Sequence, residues 1–268
     1  MNNLKFTLIA TLLVFVSCSS VDYHPYDGYI TGETNLNEKN CKRIEEACRD
    51  KDTIRFAFIG DTQLHYNEAN RFVKAVNKRN DIDFVIHGGD VAEAGMTDEF
   101  IWYRDLMKKL KFPYVTILGN HDCIATGKDV YRKMYGEYDF SFIAGNIKFV
   151  CLNTNAIEFN YSTSVPNIEF IENEQKNTSP EHQKTVVAMH IPPYNVDFNN
   201  NMAPWFQHMI KQFTELQFCL NAHEHIFRVK DIFEDGVIYY GCPSIEAEDF
   251  YLVFTITANG YDYEKIDF

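Results

Sequence analysis

The sequence predicts an α/β fold whose first sheet is largely parallel and which adds a second sheet further along the chain. Three apolar runs between residues 54 and 118 alternate with helical patterns, an order typical of parallel sheets. Two apolar runs then flank Gly145-Asn146, a hairpin signal that marks the start of a second sheet. The tail from 227 to 268 alternates between apolar and polar residues, which predicts antiparallel strands.

The N-terminus has the composition of an export signal. Lys5 supplies a positive charge, and residues 8–16 form an apolar segment that is too short to span a bilayer as a helix. Residues 16–18 resemble a bacterial lipobox, which predicts a signal peptide over 1–17 and a lipid on Cys18. Cleavage after Ser19 is the alternative. We therefore expect an exported, membrane-anchored lipoprotein of a bacterial envelope, whose only contact with the membrane is the lipid.

Residues 18–53 are expected to form an N-terminal extension that packs on the core domain at 54–268. No Gly-, Ser- or Pro-rich linker separates the two parts. An edge strand is predicted at 26–31, and Asn37 is predicted to cap a helix that runs to about residue 49.

The cysteines do not form an obvious disulfide framework, although exported chains often carry one. Cys41 and Cys48 lie on the predicted N-terminal helix, about 10.5 Å apart along its axis, which exceeds the reach of a disulfide. Cys151 and Cys219 lie within apolar strands and are expected in the core. We predict no structural disulfide.

Hydrophobic periodicity and turn signals place the other elements of the core domain. Strands are predicted at 54–59, 83–87, 114–118, 140–143, 147–152, 185–189 and 218–220, and helices at 68–80, from Thr97, at 129–135 and at 166–177. Breaks at Asp235-Gly236 and Asn259-Gly260 divide the tail into strands.

Five of these strands end directly in side chains that carry oxygen or imidazole groups. The clearest is 114–118, which is followed by a glycine and then by an amide, an imidazole and a carboxylate. The five endings are Gly60-Asp61-Thr62-Gln63, Gly88-Gly89-Asp90, Gly119-Asn120-His121-Asp122, His190 and Asn221-Ala222-His223-Glu224-His225. Turn preference explains one or two such endings, but not five in a chain with nine histidines. The carboxyl edge of an α/β sheet is where ligands bind.

The order of these motifs resembles the calcineurin-like metallophosphoesterases, whose pattern is D-x-H, GD, GNH followed by an acid, a lone His, and GHxH. The resemblance runs from about Ile54 to His225. Gln63 stands where a histidine is usual, and Ala222 stands where a glycine is usual. A glutamine in place of this histidine is similar to the pattern of the branch that contains manganese-dependent ADP-ribose/CDP-alcohol diphosphatases. The resemblance implies a four-layer sandwich of two stacked mixed β-sheets flanked by helices.

The resemblance also implies two divalent metal ions. One ion would be held by Asp61, Gln63, Asp90 and His225, and the other by Asn120, His190 and His223, with Asp90 bridging. Such a pair lowers the pKa of a bridging water and clamps the attacking and leaving oxygens, which permits hydrolysis of a phosphate ester or diphosphate. The oxygen-rich first set favours Mn²⁺, with Zn²⁺, Fe and Mg²⁺ as alternatives.

By the same resemblance His121 lies over the phosphoryl group, where it stabilises charge or protonates the leaving oxygen. Asp122 is expected to hold its ring. We interpret His87 as a hydrogen-bonded core histidine. His65 has two interpretations, as a residue that contacts substrate or as a solvated loop histidine.

Charge and loops restrict the substrate. A net charge of −13 argues against binding a nucleic-acid duplex but not against a small phosphorylated substrate such as a nucleotide. Loops 155–165 and 192–205 carry aromatic residues that either stack on a base or anchor the loops, namely Tyr161, Tyr194, Phe198 and Trp205. A non-catalytic envelope lipoprotein that uses the fold as a binding module is the alternative, but every site position is filled by a group able to do the chemistry.

Overall fold

The computed structural model describes residues 24–160, 162–177 and 182–268. The predicted signal peptide, Cys18, Tyr161 and the predicted end of a helix at 178–180 lie outside these residues. The helices are α1 Leu36–Cys48, α2 Tyr66–Asn77, α3 Thr97–Met107, α4 Gly127–Met134, α5 Ile168–Lys176 and α6 Ala203–Ile210, with one turn of 3₁₀ helix at His121–Cys123. The strands are β1 Ile54–Ile59, β2 Phe84–His87, β3 Tyr114–Thr116, β4 Phe140–Ala144, β5 Ile147–Leu152, β6 Lys184–Met189, β7 Leu216–Asn221, β8 Arg228–Asp231, β9 Ile238–Gly241, β10 Phe250–Thr257 and β11 Gly260–Asp267.

The first sheet has the strand order β11-β10-β1-β2-β3. β1, β2 and β3 run parallel, and the chain returns between them through α2 and α3. β10 pairs with β1 and with β11 in the antiparallel sense. The three parallel strands therefore end at one edge, as the strand–helix alternation predicts.

The second sheet has the order β4-β5-β6-β7-β9-β8. Its inner strands β5, β6, β7 and β9 are parallel, and the hairpin partners β4 and β8 lie antiparallel at the two edges. The predicted hairpin turns at Gly145 with φ 59°, a conformation that glycine adopts without steric cost. The tail breaks into two hairpins as predicted, but they belong to different sheets.

Alternation along the strands builds a core on each side of both sheets. Phe56 on β1 points between the sheets, where its ring stacks on Phe84 and Phe254 at 5.2 and 5.4 Å and meets the edge of Phe149 from the second sheet. Its neighbour Ala57 points outward into the core beneath α2, α3 and α4. A third core lies under α5 and α6 on the outer face of the second sheet. The fold is therefore the expected sandwich of two mixed sheets flanked by helices.

The helix α1 contacts both sheets, because it packs against β3 and β4 with Ile44 and Cys48 fully buried between the sheets. Asn37 lies inside this helix, and Asn35 precedes it, so the predicted Asn37 cap is wrong. The Asn37 amide instead pairs with the backbone of Thr116 on the edge strand β3, donating to its carbonyl at 2.8 Å and accepting from its N–H at 2.9 Å. The side chain thus acts as a short substitute for a neighbouring strand.

Two other predictions fail in the connecting segments. Residues 26–31 form a turn and irregular backbone instead of a strand. Their backbone groups bond to side chains of other segments, with the Gly28 N–H donating to Thr97 Oγ1 at 3.2 Å and Thr126 Oγ1 donating to the Tyr26 carbonyl at 3.1 Å. The 192–205 segment is not all loop, since α6 begins at Ala203 with a proline in its first turn.

All six cysteines of the described residues are free thiols in buried positions. Cys48, Cys151, Cys219 and Cys242 are almost completely inaccessible and pack as small apolar side chains. Within the part of the chain that the structure describes, no helix has the length and apolar character to cross a membrane.

Candidate metal centre

The five strand endings meet at the carboxyl edges of the two sheets. The first sheet supplies the side chains after β1, β2 and β3, and the second sheet supplies those after β6 and β7. Asp61, Asp90 and His190 are almost completely buried, whereas Asn120, His223 and His225 are partly accessible. The donors thus extend from buried positions to partly exposed ones.

One group of donors contains Asp90, His190 and His223, whose nearest ligand atoms all lie within 4.8 Å of one another. His190 Nε2 is 2.9 Å from Asn120 Oδ1 and 3.3 Å from Asp90 Oδ2. His223 Nδ1 is also 2.9 Å from Asn120 Oδ1. The structure therefore brings together all the residues predicted for the second metal, with Asp90 beside them.

The outer hydrogen bonds of these two rings decide which nitrogens face inward. The Nδ1–H of His190 donates to the Gly88 carbonyl at 2.8 Å, and the Nε2–H of His223 donates to Asp197 Oδ2 at 3.1 Å. In a neutral imidazole the other nitrogen is then an acceptor. With these tautomers two ring lone pairs point at the oxygen of Asn120, and a cation between the three atoms would satisfy all of them.

A second observation supports the same conclusion. Asp90 Oδ2 is buried and has no hydrogen-bond partner, which is costly for a carboxylate oxygen. Burial disfavours a charged ring at His190, but the adjacent Asp90 carboxylate raises the pKa of His190 to about 9. A proton on Nε2 and a metal ion are the cations that can satisfy these acceptors, and the mixed N/O donor set suits a divalent metal.

The other group contains Asp61, Asp90 and His225, again with ligand atoms within 4.8 Å of one another. His225 Nε2 lies 3.5 Å from Asp61 Oδ1, and this interaction raises the pKa of His225. Asp90 belongs to both groups, as a bridging carboxylate must. Gln63 is buried beside them, with its N–H donating to the Asp90 carbonyl at 3.0 Å. That its amide binds the metal stays a prediction.

The backbone of the site is held in an unusual conformation. Five of the predicted ligands have positive φ, a region that non-glycine residues seldom occupy. They are Asp61 (51°), Gln63 (44°), Asp90 (59°), His223 (71°) and His225 (57°). Such strain persists only where surrounding packing enforces it. The packing around Asp90 is close at Gly119, where any side chain would collide with the Asp90 carboxylate.

His121 is partly exposed, and its hydrogen-bond partners are not the expected Asp122. Its N–H donates to Asp90 Oδ1 at 2.9 Å, and its Nδ1–H donates to the Glu93 carbonyl at 2.7 Å. Asp122 was predicted to hold this ring, and that role is wrong. Its carboxylate is buried beneath the loops, where it accepts the N–H groups of Asp90, Ala92 and Gly119 at 2.9 to 3.0 Å.

Burial and the nearby charge of Asp90 raise the pKa of Asp122 to about 7. The hydrogen bonds of Asp122 thus go to the backbone of the ligand loops and not to the His121 ring. Glu93 orients His121, and the sequence interpretation overlooked it. The only available signal was its place three residues after Asp90 in the same loop.

The remaining histidines near the site have structural surroundings. His87 is fully buried, accepts the Gly89 N–H at Nδ1 and donates from Nε2 to Thr62 Oγ1 at 2.7 Å. It is the core histidine that the sequence indicates. His65 lies at the N-terminus of α2, with Nε2 3.1 Å from the Glu246 carboxylate.

The aromatic residues of the 192–205 segment divide between anchoring and exposure. Phe198 is only 2% exposed and packs on Phe206 at 5.6 Å, so it anchors the loop. Trp205 lies in α6 and packs against the outer core. Tyr194 is 54% exposed, although its ring also lies 5.1 Å from that of Phe233.

Donor groups that overlap at a shared carboxylate are found in enzymes that hydrolyse phosphate esters with two metal ions. The model of the calcineurin-like phosphoesterase family matches residues 54–227, and the chain belongs to this family. It is therefore a phosphoric ester hydrolase of a family whose chemistry uses two metal ions.

Individual relatives are distant. A probable cyclic nucleotide phosphodiesterase of Xenorhabdus bovienii (strain SS-2004) is 34% identical over 50 residues, which are 19% of this chain and 20% of the relative. The match thus spans about a fifth of that relative's length.

Two solved structures resemble the fold. A dimetal phosphatase from Danio rerio superposes with a TM-score of 0.63 at 10% identity, over 80% of this chain and 98% of that one. GAP50, the anchor in the inner membrane complex of Plasmodium, superposes with a TM-score of 0.57 at 14% identity, over 81% and 85%. At these identities the likeness concerns the fold alone.

Proposed function

We propose that this chain hydrolyses a small phosphate ester or diphosphate, such as a nucleotide, in a bacterial cell envelope. The observation that carries the hydrolytic part is Asp90, whose carboxylate belongs to both donor groups and has a buried oxygen without a hydrogen-bond partner. A carboxylate can bridge two cations through its two oxygens while its charge offsets theirs.

The chain's own residues supply distinct parts of the chemistry. Asp61, Gln63, Asp90 and His225 would hold one ion, and Asn120, His190 and His223 the other. The two ions, when bound, lower the pKa of water and stabilise charge on the phosphoryl oxygens. Mn²⁺ is the expected activating ion, because oxygen donors dominate the first set.

His121 is the group suited to meet the leaving oxygen. Its Nδ1–H is occupied by the Glu93 carbonyl, which leaves Nε2 to face a substrate. Burial disfavours its charge, but the Asp90 carboxylate and the Glu93 carbonyl raise the pKa of His121 overall. A protonated ring can donate from Nε2 as the ester bond breaks.

Two features favour a nucleotide among small phosphorylated substrates. The relative from Xenorhabdus bovienii is described as a probable cyclic nucleotide phosphodiesterase. The exposed Tyr194 ring, on the loop that follows His190, offers a face on which a base can stack.

A substrate panel tests the proposal with Mn²⁺ and the purified chain. The panel compares p-nitrophenyl phosphate, bis-p-nitrophenyl phosphate, a cyclic nucleotide and a nucleoside diphosphate, each with and without chelator. We expect chelator-sensitive turnover, with the nucleotides preferred over the nitrophenyl esters. Tyr194→Ala should raise KM for the nucleotides only. Absence of turnover on every substrate in fully metal-loaded protein would refute the proposal.

The envelope location rests on the N-terminal segment and needs its own experiment. In a bacterial host, the wild-type chain should partition with membranes and carry lipid on Cys18. The variant Cys18→Ser should become soluble or stay unprocessed. A mature N-terminus at Ser20 without lipid, found by mass spectrometry, would instead favour the alternative cleavage after Ser19.

A further inference from the structure

The 192–205 segment contacts the metal centre through one carboxylate. Asp197 Oδ2 lies 3.1 Å from Nε2 of His223, on the side of the ring that faces away from Asn120. The segment thus bonds directly to a histidine of the donor group formed by Asp90, His190 and His223.

The two histidines of this donor group are oriented in different ways. His190 donates to the backbone carbonyl of Gly88, an acceptor that is present whatever side chain the position carries. His223 donates to the side chain of Asp197. Its orientation therefore depends on one residue that can be substituted, and on the conformation of the loop that carries it.

We propose that Asp197 is a positioning residue that holds His223 ready to bind metal and so couples the 192–205 segment to the second metal site. The inference rests on the proposed function in taking this site to hold a metal. A neutral ring that donates from Nε2 has its lone pair on Nδ1, and this atom lies 2.9 Å from Asn120 Oδ1. A carboxylate that accepts the hydrogen bond from one ring nitrogen also makes the other nitrogen a stronger electron-pair donor to a metal.

The loop fixes the position of Asp197. Its N–H donates to Asn195 Oδ1 at 3.0 Å, and Asn200 Nδ2 donates to the Asn195 carbonyl at 2.7 Å. The next residue, Phe198, is buried against Phe206. Because the folded loop places Asp197 on His223, metal binding and loop order are linked, and each must stabilise the other by the same free energy.

Metal affinity is the first readout, measured by titrating Mn²⁺ and Zn²⁺ into metal-stripped protein. Asp197→Ala should weaken one of the two sites by roughly 10- to 100-fold and leave the other unchanged, as loss of a carboxylate behind a metal-binding histidine does. Asp197→Asn keeps an acceptor oxygen without the charge and should fall between. The matched control is Val196→Ala, because Val196 is 86% exposed in the same loop.

Amide hydrogen exchange is the second readout, and a purely local packing role would not alter it. In the wild type and in Val196→Ala, metal should slow exchange across residues 194–202. In Asp197→Ala that metal-dependent protection should disappear. Wild-type affinity at both sites in the two Asp197 variants, or protection that survives in Asp197→Ala, would overturn the inference.

The two readouts do not use hydrolysis, so the two proposals fail in different ways. Failure of the coupling appears as unaltered metal binding in the variants of an active enzyme. Failure of the proposed function appears as a wild-type chain that binds two ions and hydrolyses nothing.

Discussion

The carbonyl oxygen of Glu93 lies 2.7 Å from Nδ1 of His121 and accepts the hydrogen bond from that nitrogen. The Glu93 carboxylate is also close, with Oε2 3.7 Å from the same atom. One residue thus fixes the direction of the ring and favours its charged form. The adjacent Asn120 faces His190 and His223. This orientation of His121 suits the role at the phosphoryl group that we propose for it.

Replacing His121 with Ala should separate metal binding from turnover. The variant should keep both ions, because the His121 ring belongs to neither donor group. We expect kcat to fall by roughly 10²–10⁴-fold, the usual loss for a general acid or electrostatic stabiliser. Steady-state kinetics with metal analysis checks this, with the exposed His208→Ala as control. Unaltered turnover in the metal-loaded variant would contradict the assignment.

Replacing Gln63 with His should change the metal preference of the first site. An amide oxygen is a weaker donor than an imidazole, and imidazole favours Zn²⁺ over Mn²⁺. The wild-type first site should therefore lose its ion first on dialysis, while Zn²⁺ is held best beside His190 and His223. Competitive titration of Zn²⁺ and Mn²⁺ into wild type and variant measures the shift. An unchanged preference would show that Gln63 does not bind metal.

Acid stability should depend on His87, whose ring is buried in neutral form. Burial lowers the pKa of folded His87 to about 3, whereas the unfolded chain binds a proton near its ordinary pKa of about 6.5. The stability contributed by the neutral ring is thus full above that ordinary pKa and is lost as the pH falls toward the folded value. One such proton lowers the free energy of unfolding by up to about 1.4 kcal/mol per pH unit.

Denaturant unfolding between pH 7 and pH 4 tests this dependence. His87→Gln can keep the hydrogen bond to Thr62 Oγ1 and should show a shallower acid slope by about one proton. The exposed His208→Gln should keep the wild-type slope. A slope in His87→Gln equal to that of the wild type would rule out the buried neutral ring.

The site was predictable as far as its signals are local in the sequence. A β-branched run that ends in glycine and polar residues both forms a strand and delivers ligands to its end, as 114–120 does. The parallel order of β1, β2 and β3 then brings Asp61, Asp90 and Asn120 to one edge. The assignment of these residues and of the three histidines to two metals came from the resemblance to the phosphoesterase family.

The partners behind the ligands were not predictable, because they are set by tertiary contact. Asp197 and His223 are 26 residues apart and lie in separate segments. Asp122 follows His121 directly, yet the turn of 3₁₀ helix buries its carboxylate under three backbone amides. Adjacency in sequence therefore gave the wrong partner for His121.

The same limit applies to the fold. Asn37 has the chemistry of a helix cap, but a tertiary contact with Thr116 uses its amide. The alternation of β10 predicts a strand and not its position. β10 pairs with β1, where Phe254 lies opposite Phe56, although the two strands are near opposite ends of the domain's sequence.

The most direct measurement is a metal titration of Asp90→Ala beside the wild type, followed by turnover of p-nitrophenyl phosphate. Because Asp90 belongs to both donor groups, the wild type should bind two ions and hydrolyse the ester only when both are present. Asp90→Ala should weaken both sites and lose turnover. Asp249→Ala, which removes a surface carboxylate paired with Arg71, should match the wild type. Two ions bound by Asp90→Ala at wild-type affinity, or wild-type turnover that persists in excess chelator, would contradict a centre bridged by Asp90.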